Sequence, residues 1–433
     1  MRRWKRCSLR WSELRALLSK DLRELFGSTS YFLLLLMAGP LTGLSFIAAV
    51  RNYFDASAGT ALASAISPLD GILLPTLGAY DILITFIVPF VAIRLLASEK
   101  SSGALRLLLQ APASLATQLA SKVLALLCAW IVALIPAAIA LILWRSYGGH
   151  LDPAETTAPI IGFTLLYLLI CSVALAAASI FANAASAAIA VLTFTIATWA
   201  IDLFGAWNSG WIGTLAPYTP GAMLRQFGRG LVNADVIIVG IAISLLLLTI
   251  AALVLQPSRR ALVVLAIGIA LLFVRTHRSA DLSEDRRNSF SPADEKLLRS
   301  IDRPLSITIY LAAEDPRAKD YERNVLTKLR RVVRDLRIDY PYGGRTLLFD
   351  NDPRYGTIEY RLGAKHAVSR STTDEIVLDE LETLAGLTPP QRGESTYPGY
   401  PLRAPPLHAA TLFYVIWPLA IAISWLRCSR RTG

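Results

Sequence analysis

Three ionisable residues, Asp81, Arg94 and Asp202, fall inside long apolar runs of this chain. A charge at membrane depth is costly, so such groups are the first places to look for ion or proton transfer. Each also has a plainer reading: Arg94 lies close enough to the end of its run to snorkel to the interface, and Asp81 and Asp202 sit near the outer ends of theirs. The four histidines, His150, His277, His366 and His408, match no ligand spacing, and the cysteines Cys7, Cys128, Cys171 and Cys428 form neither a disulfide framework nor a Cys-x-x-Cys pair. No metal site is expected. The sequence contains no Gly-x-x-x-x-Gly-Lys-Ser/Thr loop, no Gly-x-Ser-x-Gly and no His-Glu-x-x-His. Catalytic residues are therefore not expected, and neither is a nucleotide or cofactor held by this chain. What remains is the segment from Ser98 to Ser114, a short amphipathic stretch between two apolar runs, which a partner could grip and move.

The elements that must position it follow from hydropathy. Mean hydropathy is +0.48 and 54% of the 433 residues are hydrophobic, in runs long enough to cross a hydrocarbon core of about 30 Å. The expected fold is a polytopic α-helical membrane protein. Eight spans are predicted near 31–50, 79–97, 123–144, 158–181, 185–206, 235–255, 258–274 and 409–426, the seventh being the shortest. The basic start, Met1 to Arg6, precedes the first run by too many residues for a signal peptide. That run is read as a retained span.

Orientation follows from the bias of Lys and Arg in short loops. With the N-terminus inside, segments 1–26, 98–122, 256–260 and 427–433 carry 16 Lys/Arg against 4 Asp/Glu, whereas 51–71, 145–156 and 208–235 carry 4 against 5. Most of the net charge of +11 then faces anionic lipid headgroups, and a nucleic-acid partner is not implied. Both termini are expected in the cytoplasm of a multi-pass inner-membrane protein. Arg225 and Arg229 run against this trend.

Before the first span, Trp11, Leu14, Leu18, Leu22 and Leu25 recur at helical spacing, with Arg10, Arg15, Lys20 and Arg23 mostly on other faces. This predicts either a helix lying in the cytoplasmic interface or an ordinary helix packed on its neighbours. In the segment after the second span, Leu105, Leu108, Leu109 and Leu115 can share one side of a short helix, entered through Gly103 and stopped by Pro112. Pro89 and Pro136 are read as helix kinks. Trp207, Trp211, Pro217, Tyr218 and Pro220 suggest an interfacial re-entrant segment or an aromatic belt.

Glu99, Gly103, Leu107, Leu108, Pro112 and Lys122 stand where type-2 ABC exporter permeases carry a Glu, a Gly, a leucine pair, a Pro and a basic residue opening the third span. Over about residues 10–256 the chain resembles the gliding-motility and copper-enzyme-maturation permeases, GldF and NosY. The resemblance implies that Glu99, Gly103, Leu105, Leu107, Leu108 and Pro112 form a coupling helix that docks on a separate ABC ATP-binding subunit. ATP and Mg would act through that subunit, with the permeases arranged as a homodimer or pseudo-dimer.

Residues 275–408 hold 22 Lys/Arg and 21 Asp/Glu and read as a soluble domain outside the cytoplasm. Ser291-Pro292 predicts a helix start, Leu305 to Leu311 a strand, and Asp320 to Leu336 a helix. Arg345 to Asp350 predicts a strand, Gly356 to Leu362 with Lys365 to Ser369 a hairpin, and Asp374 to Leu384 a helix. The residues Asp281 to Pro292, Leu298, Asp302, Pro304, Ile307 to Leu311, Tyr355 to Ile358 and Glu375 to Val377 resemble the N-terminal part of GldG-type proteins. That implies a small α/β thioredoxin-like domain that binds cargo or an envelope protein. The expected organisation is a cytoplasmic interfacial helix at 1–26, a six-helix permease domain at 27–256, a seventh span at 257–274, the outer domain at 275–408, and an eighth span with a basic tail at 409–433. The expected function is the permease subunit of an ABC exporter; the alternative is an envelope scaffold or sensor.

Overall fold

The computed structural model describes the chain except at residues 1, 59–66, 111–113, 206–211, 213–214, 258, 275, 277, 313–314, 334, 343–352, 389, 391–398, 403–408 and 433. Among the described residues, seven helices are long and apolar enough to cross a membrane: Thr29–Ser57, Leu69–Ser101, Leu115–Ser146, Pro153–Ile180, Ala184–Gly205, Ala234–Leu255 and Ala409–Cys428. The protein is thus a mostly helical chain of multi-pass character. The seventh predicted span, at 258–274, is a shorter apolar helix, Arg259–Leu272. The second begins at Leu69 rather than near residue 79, so Asp81 lies well inside its helix and not near the outer end.

The chain divides into two compact units, one of Met1–Ala197, Ala234–Thr276 and Pro398–Gly433, the other of Thr198–Asn233 and His277–Tyr397. In the first, α1 (Arg2–Phe26) precedes α2 (Thr29–Ala58). The next two membrane helices are each broken. A π-helical turn, Leu69–Leu73, leads into α3 (Leu74–Phe86), which gives way at Ile87 to α4 (Val88–Ser101). After α5 (Ala104–Gln110), α6 (Leu115–Ala133) gives way at Leu134 to α7 (Ile135–Ser146). Pro89 and Pro136 explain both breaks, because a proline has no N–H for the preceding turn and its ring displaces the carbonyl there. At the second break the hydroxyl of Tyr80 from α3 substitutes for the lost regularity: it donates to the Ala133 carbonyl at 2.9 Å and accepts from the Ala137 N–H at 3.3 Å.

The fourth span, α8 (Pro153–Ile180), runs through the middle of the unit. Tyr167 donates to the Leu126 carbonyl at 2.8 Å, and the Trp130 indole donates to Thr164 at 3.0 Å and stacks on Tyr167. Ala184–Gly205, here α9, buries little of its own surface: Ile189, Ile196, Trp199 and Phe204 are exposed. The last membrane helix lies on α2 through a pair of glycines. A Cβ at Gly39 would stand 2.1 Å from the Trp417 ring, and one at Gly43 would stand 2.4 Å from Phe413 Cβ. Trp417 also donates to the Leu35 carbonyl at 2.7 Å. Small residues allow this close approach in a membrane, where apolar burial between helices supplies little drive.

In the second unit α10 (Pro220–Gly228) leads into β1 (Leu231–Asn233), which pairs antiparallel with β2 (Ser279–Asp281). α13 (Pro292–Arg299) starts as predicted, with Ser291 as N-cap, after α11 (Ala234–Leu255) and α12 (Arg259–Leu272) of the first unit. A four-stranded sheet follows: β3 (Leu305–Ile309), β4 (Leu336–Asp339), β5 (Ile358–Leu362) and β6 (Lys365–Ser369), in the order β4-β3-β5-β6. β3 and β4 are parallel; β5 is antiparallel to β3 and to β6. Leu305, Ile307, Ile309, Ile358, Tyr360 and Leu362 point into one core, as period-two alternation requires. Against them pack Val325, Leu329 and Leu381.

The helix expected over 320–336 is shorter and interrupted: α14 (Pro316–Tyr321), a π-helical turn at Glu322–Leu326, and α15 (Thr327–Val332). Leu336 belongs to β4 instead. Its apolar spacing fits a helix face as well as a strand, and pairing with Leu305 decides the matter. The hairpin and the closing helix α16 (Asp374–Ala385) stand as predicted, while the strand expected at 345–350 lies outside the described residues.

Asp281, at the end of β2, is a closed polar knot. Its carboxylate accepts from the Ser283 N–H and hydroxyl at 3.1 and 2.6 Å, the Asn288 N–H and side-chain amide at 3.1 Å each, and the Ser289 hydroxyl at 2.6 Å. Asn288 also donates to the Arg229 carbonyl at 2.6 Å, which ties this loop to the strand partner. Burial opposes the charge on Asp281, but the donors from Ser283, Ser289 and Asn288 outweigh it and hold the carboxyl below its ordinary value of 3.8. A depressed carboxyl contributes stability that is present above its unfolded value and lost as pH falls through the folded one. Asp281→Asn is therefore expected to weaken the β1–β2 pairing by about 1–3 kcal/mol at neutral pH and to abolish its acid sensitivity. Amide exchange over 229–233 and 279–289, followed as pH falls from about 5 to 3, checks this; equal acid sensitivity in both proteins would exclude the knot as its source.

Candidate functional site

The site is a buried ionic network where three helices, α1, α4 and α6, meet. α1 is amphipathic, with Leu25 and Asp21 buried on one side and Arg15 and Arg23 exposed on the other. Asp21 is therefore an acid on the apolar stripe. It is matched by Lys122, buried near the start of α6, whose ammonium lies 3.2 Å from Asp21 Oδ1 and 2.7 Å from Glu99 Oε1. The same ammonium donates to the Leu95 carbonyl at 3.2 Å. Ser121 donates to Asp21 Oδ2 at 2.5 Å. One lysine thus joins α1, α4 and α6.

Lys20 reaches the network from the solvent side, bonding Glu99 and lying 3.2 Å from Asp21 and 3.9 Å from Glu24. Burial works against its charge; the hydrogen bond and negative charge of Glu99, with Asp21, prevail, so Lys20 sits above its ordinary value of 10.5. Glu24 accepts from the Ser98 hydroxyl. Asp21, Glu24 and Glu99 bring carboxylate oxygens within 4.8 Å of one another, and the two ammonium groups already lie among them. The arrangement is an ion-pair cluster, with a basic group in the position a metal would need.

From this cluster projects α5. Lys100, next to Glu99, donates to the Ala178, Ser179 and Phe181 carbonyls at 2.7, 2.9 and 2.9 Å, closing the C-terminal end of α8. Gly103 then turns the chain with φ +75°, a conformation that side chains disfavour although nothing lies within 4 Å of where a Cβ would stand. Leu105 is buried, Leu108 is half-buried, and Leu107 is 72% exposed. At the far end the Gln118 amide donates to the Leu108 carbonyl at 2.7 Å, and Ser114 caps α6. A helix of 7 residues is marginal alone. Here it is held at both ends.

Of the residues singled out in the sequence, Glu99, Gly103, Leu105, Leu107 and Leu108 come together at this place; Pro112 lies outside the described residues. Leu115 does not join α5 but opens α6. Asp81 and Arg94 are exposed on α3 and α4 and take no part. Asp202 belongs to the second unit, where Arg225 from α10 grips it bidentately at 2.6 and 2.7 Å and Thr219 donates to it at 3.2 Å. Arg225 is thus an ion-pair partner of Asp202, which accounts for one of the two cations that run against the charge trend. Trp207 and Trp211 lie outside the described residues. His150 stacks on Tyr400 at 3.7 Å, His366 is exposed on β6, and His277 and His408 lie outside the described residues. Sequence reasoning missed Lys20, Asp21, Glu24, Gln118 and Ser121. Asp21 was detectable, since it falls on the stripe of Leu14, Leu18 and Leu25.

Removing one partner of a buried pair leaves an uncompensated charge, at a cost of about 3–5 kcal/mol. Lys122→Met is expected to lower the unfolding temperature of the detergent-solubilised protein and to open α1 to protease at Arg15 and Arg23. An unchanged melting profile would mean that the network does not hold α1.

Comparison with known proteins finds no matching family model, no matching curated protein and no matching solved structure.

Proposed function

We propose that this chain is the membrane-spanning permease subunit of an ABC exporter, working as a homodimer or pseudo-dimer with a separate ATP-binding subunit at the cytoplasmic membrane. The observation that carries this reading is α5. It is a short helix with Leu107 exposed, held at both ends and rooted in a buried ionic network that joins α1, α4 and α6. A surface helix on a flexible loop could bind a partner but could not transmit its movement; one rooted in three packed helices can do both. The residues here are those by which the sequence resembles the GldF and NosY permeases. ATP and Mg2+ would be bound by the partner, whose closure pushes α5 and shifts the helices behind it.

The outer domain is read as a shortened GldG-like, thioredoxin-like domain. Its strand order β4-β3-β5-β6, with β3 and β4 parallel and β5 antiparallel, supports that reading. It contains no cysteine between 275 and 408, so dithiol exchange has no nucleophile there. Binding of cargo or of an envelope protein is the role that remains. The scaffold alternative draws support from the loop Thr198–Asn233, which folds with the outer domain as one compact unit.

Affinity purification from native membranes is expected to bring down a Walker-motif ATPase at near-equal stoichiometry. Gly103→Pro, which cannot adopt the positive φ and so misdirects α5, should leave membrane insertion intact and uncouple ATP hydrolysis from transport. Normal transport in that variant, or a membrane protein that arrives without an ATPase, would favour the scaffold. A reporter fused after Arg345 should read as extracytoplasmic; a cytoplasmic signal would overturn the orientation.

A further inference from the structure

The network beneath α5 is not electrically closed. Three carboxylates, Asp21, Glu24 and Glu99, face two ammonium groups, Lys20 and Lys122. Both ammonium groups lie on the same oxygen, Glu99 Oε1. Glu99 Oε2 is buried and has no hydrogen-bond partner among the described residues. A buried charged oxygen without a donor is costly, and native structures rarely tolerate one without a use for it. An open cleft of about 430 Å³ runs beside this carboxylate, lined by Lys20, Glu24, Ser98, Glu99, Leu107 and Leu108 among others. One end of the cleft is acidic and the other is the apolar face of α5.

We infer that this cleft receives a cationic side chain, an arginine or a lysine, from the ATP-binding subunit that docks on α5. The inference rests on the permease reading above and names the chemistry of its partner. A guanidinium entering beside Glu24 would bring the cluster to neutrality with its stem on Leu107 and Leu108, and a turn of the buried Glu99 carboxylate toward the cleft would give Oε2 its missing donor. Glu24 accepts from Ser98 through Oε1, whereas its Oε2 stands 3.9 Å from Lys20 Nζ, so the second oxygen is only loosely engaged. A divalent cation fits less well, because it would have to displace Lys20 from Glu99 and sit beside the buried ammonium of Lys122. The partner's docking surface is therefore a cation next to an apolar socket for Leu107. The cation sets register and salt dependence, and the socket supplies area.

The test uses the full chain in nanodiscs and the Walker-motif ATPase that co-purifies with it, in a binding titration over a range of salt. Glu24→Gln should weaken binding about tenfold at low salt and flatten its salt dependence. Glu99→Gln should weaken it further. Because Glu99 also holds two lysines, Glu24→Gln, on the rim, is the decisive variant. Glu24→Lys should abolish binding, and an acidic residue in place of the responsible arginine or lysine of the ATPase should restore it. If the ATPase binds Glu24→Gln and Glu99→Gln as it binds the wild type, while Leu107→Ala weakens it, the coupling reading survives and the cation inference is overturned. If no ATPase accompanies the wild type, the coupling reading itself falls, and this inference with it. Stabilisation of the wild type alone by millimolar Mg2+ or Ca2+, lost in Glu24→Gln, would assign the cleft to a metal ion and overturn the inference.

Discussion

A single buried ammonium organises the end of the first unit where α1, α4 and α6 meet. Lys122 cannot be left unpaired in an apolar interior, so it must draw Asp21, Glu99 and the Leu95 carbonyl to itself. Satisfying it fixes the roll of α1 about its axis, since only one face carries Asp21. It fixes the end of α4, since Glu99 must point inward. It also fixes where the chain leaves α4, and hence where Gly103 has to turn and α5 has to emerge. Packing alone would leave these helices freer to slide, because apolar contacts between membrane helices carry little directional information. The ionic cluster supplies the register.

Much of this was legible in the sequence, and the reasons are specific. Seven spans appear because long uncharged runs have few alternatives to crossing a membrane. The run at 258–274, the seventh and shortest of the predicted spans, forms a helix that covers only Arg259–Leu272. Helix α16 and the hairpin across Gly363 follow local rules of capping and alternation, and they stand where those rules put them. The stretch 320–336 shows the opposite case. Leu336 satisfied a helical spacing, and only a partner distant in sequence, Leu305, makes it a strand. The site divides in the same way. Glu99 and Gly103 carry a local signature, whereas the choice of Asp21 and Lys122 as mutual partners is set across about a hundred residues.

The second unit uses a different device for a similar problem. Its small pairing of β1 with β2 spans only three residues on each side, too few to persist by ladder bonds alone. Asp281 compensates by gathering five donors into the adjoining loop, and Asn288 carries the tie to the Arg229 carbonyl. Arg331 adds a guanidinium to the Ser279 hydroxyl at 2.7 Å and to the Ser289 hydroxyl at 3.0 Å. Local hydrogen bonding of this kind explains how so short a sheet can be a fixed element.

The breaks at Ile87 and Leu134 acquire meaning from the network. Below them, α4 and α6 are tied to each other, to α1 and to α5 by ionic and capped contacts. Above them, α3 lies against α2, and α7 with the residue after it packs on α2 through aromatic contacts, Tyr53 against Trp144 and Phe46 against Tyr147. A continuous helix resists bending through every hydrogen bond of its ladder, but a helix interrupted by proline has already given up bonds at one level. Bending therefore costs least at Ile87 and Leu134, and both lie between the same two bodies. Tyr80 crosses from the upper body to bond both sides of the second break, Ala133 below and Ala137 above. A single hydroxyl with one proton and two lone pairs can hold that joint closed while leaving it free to open. A displacement of α1, α4 and α6 together would then be taken up first at these two joints, and α8, which runs unbroken past both and bonds α4 and α6, would resist it.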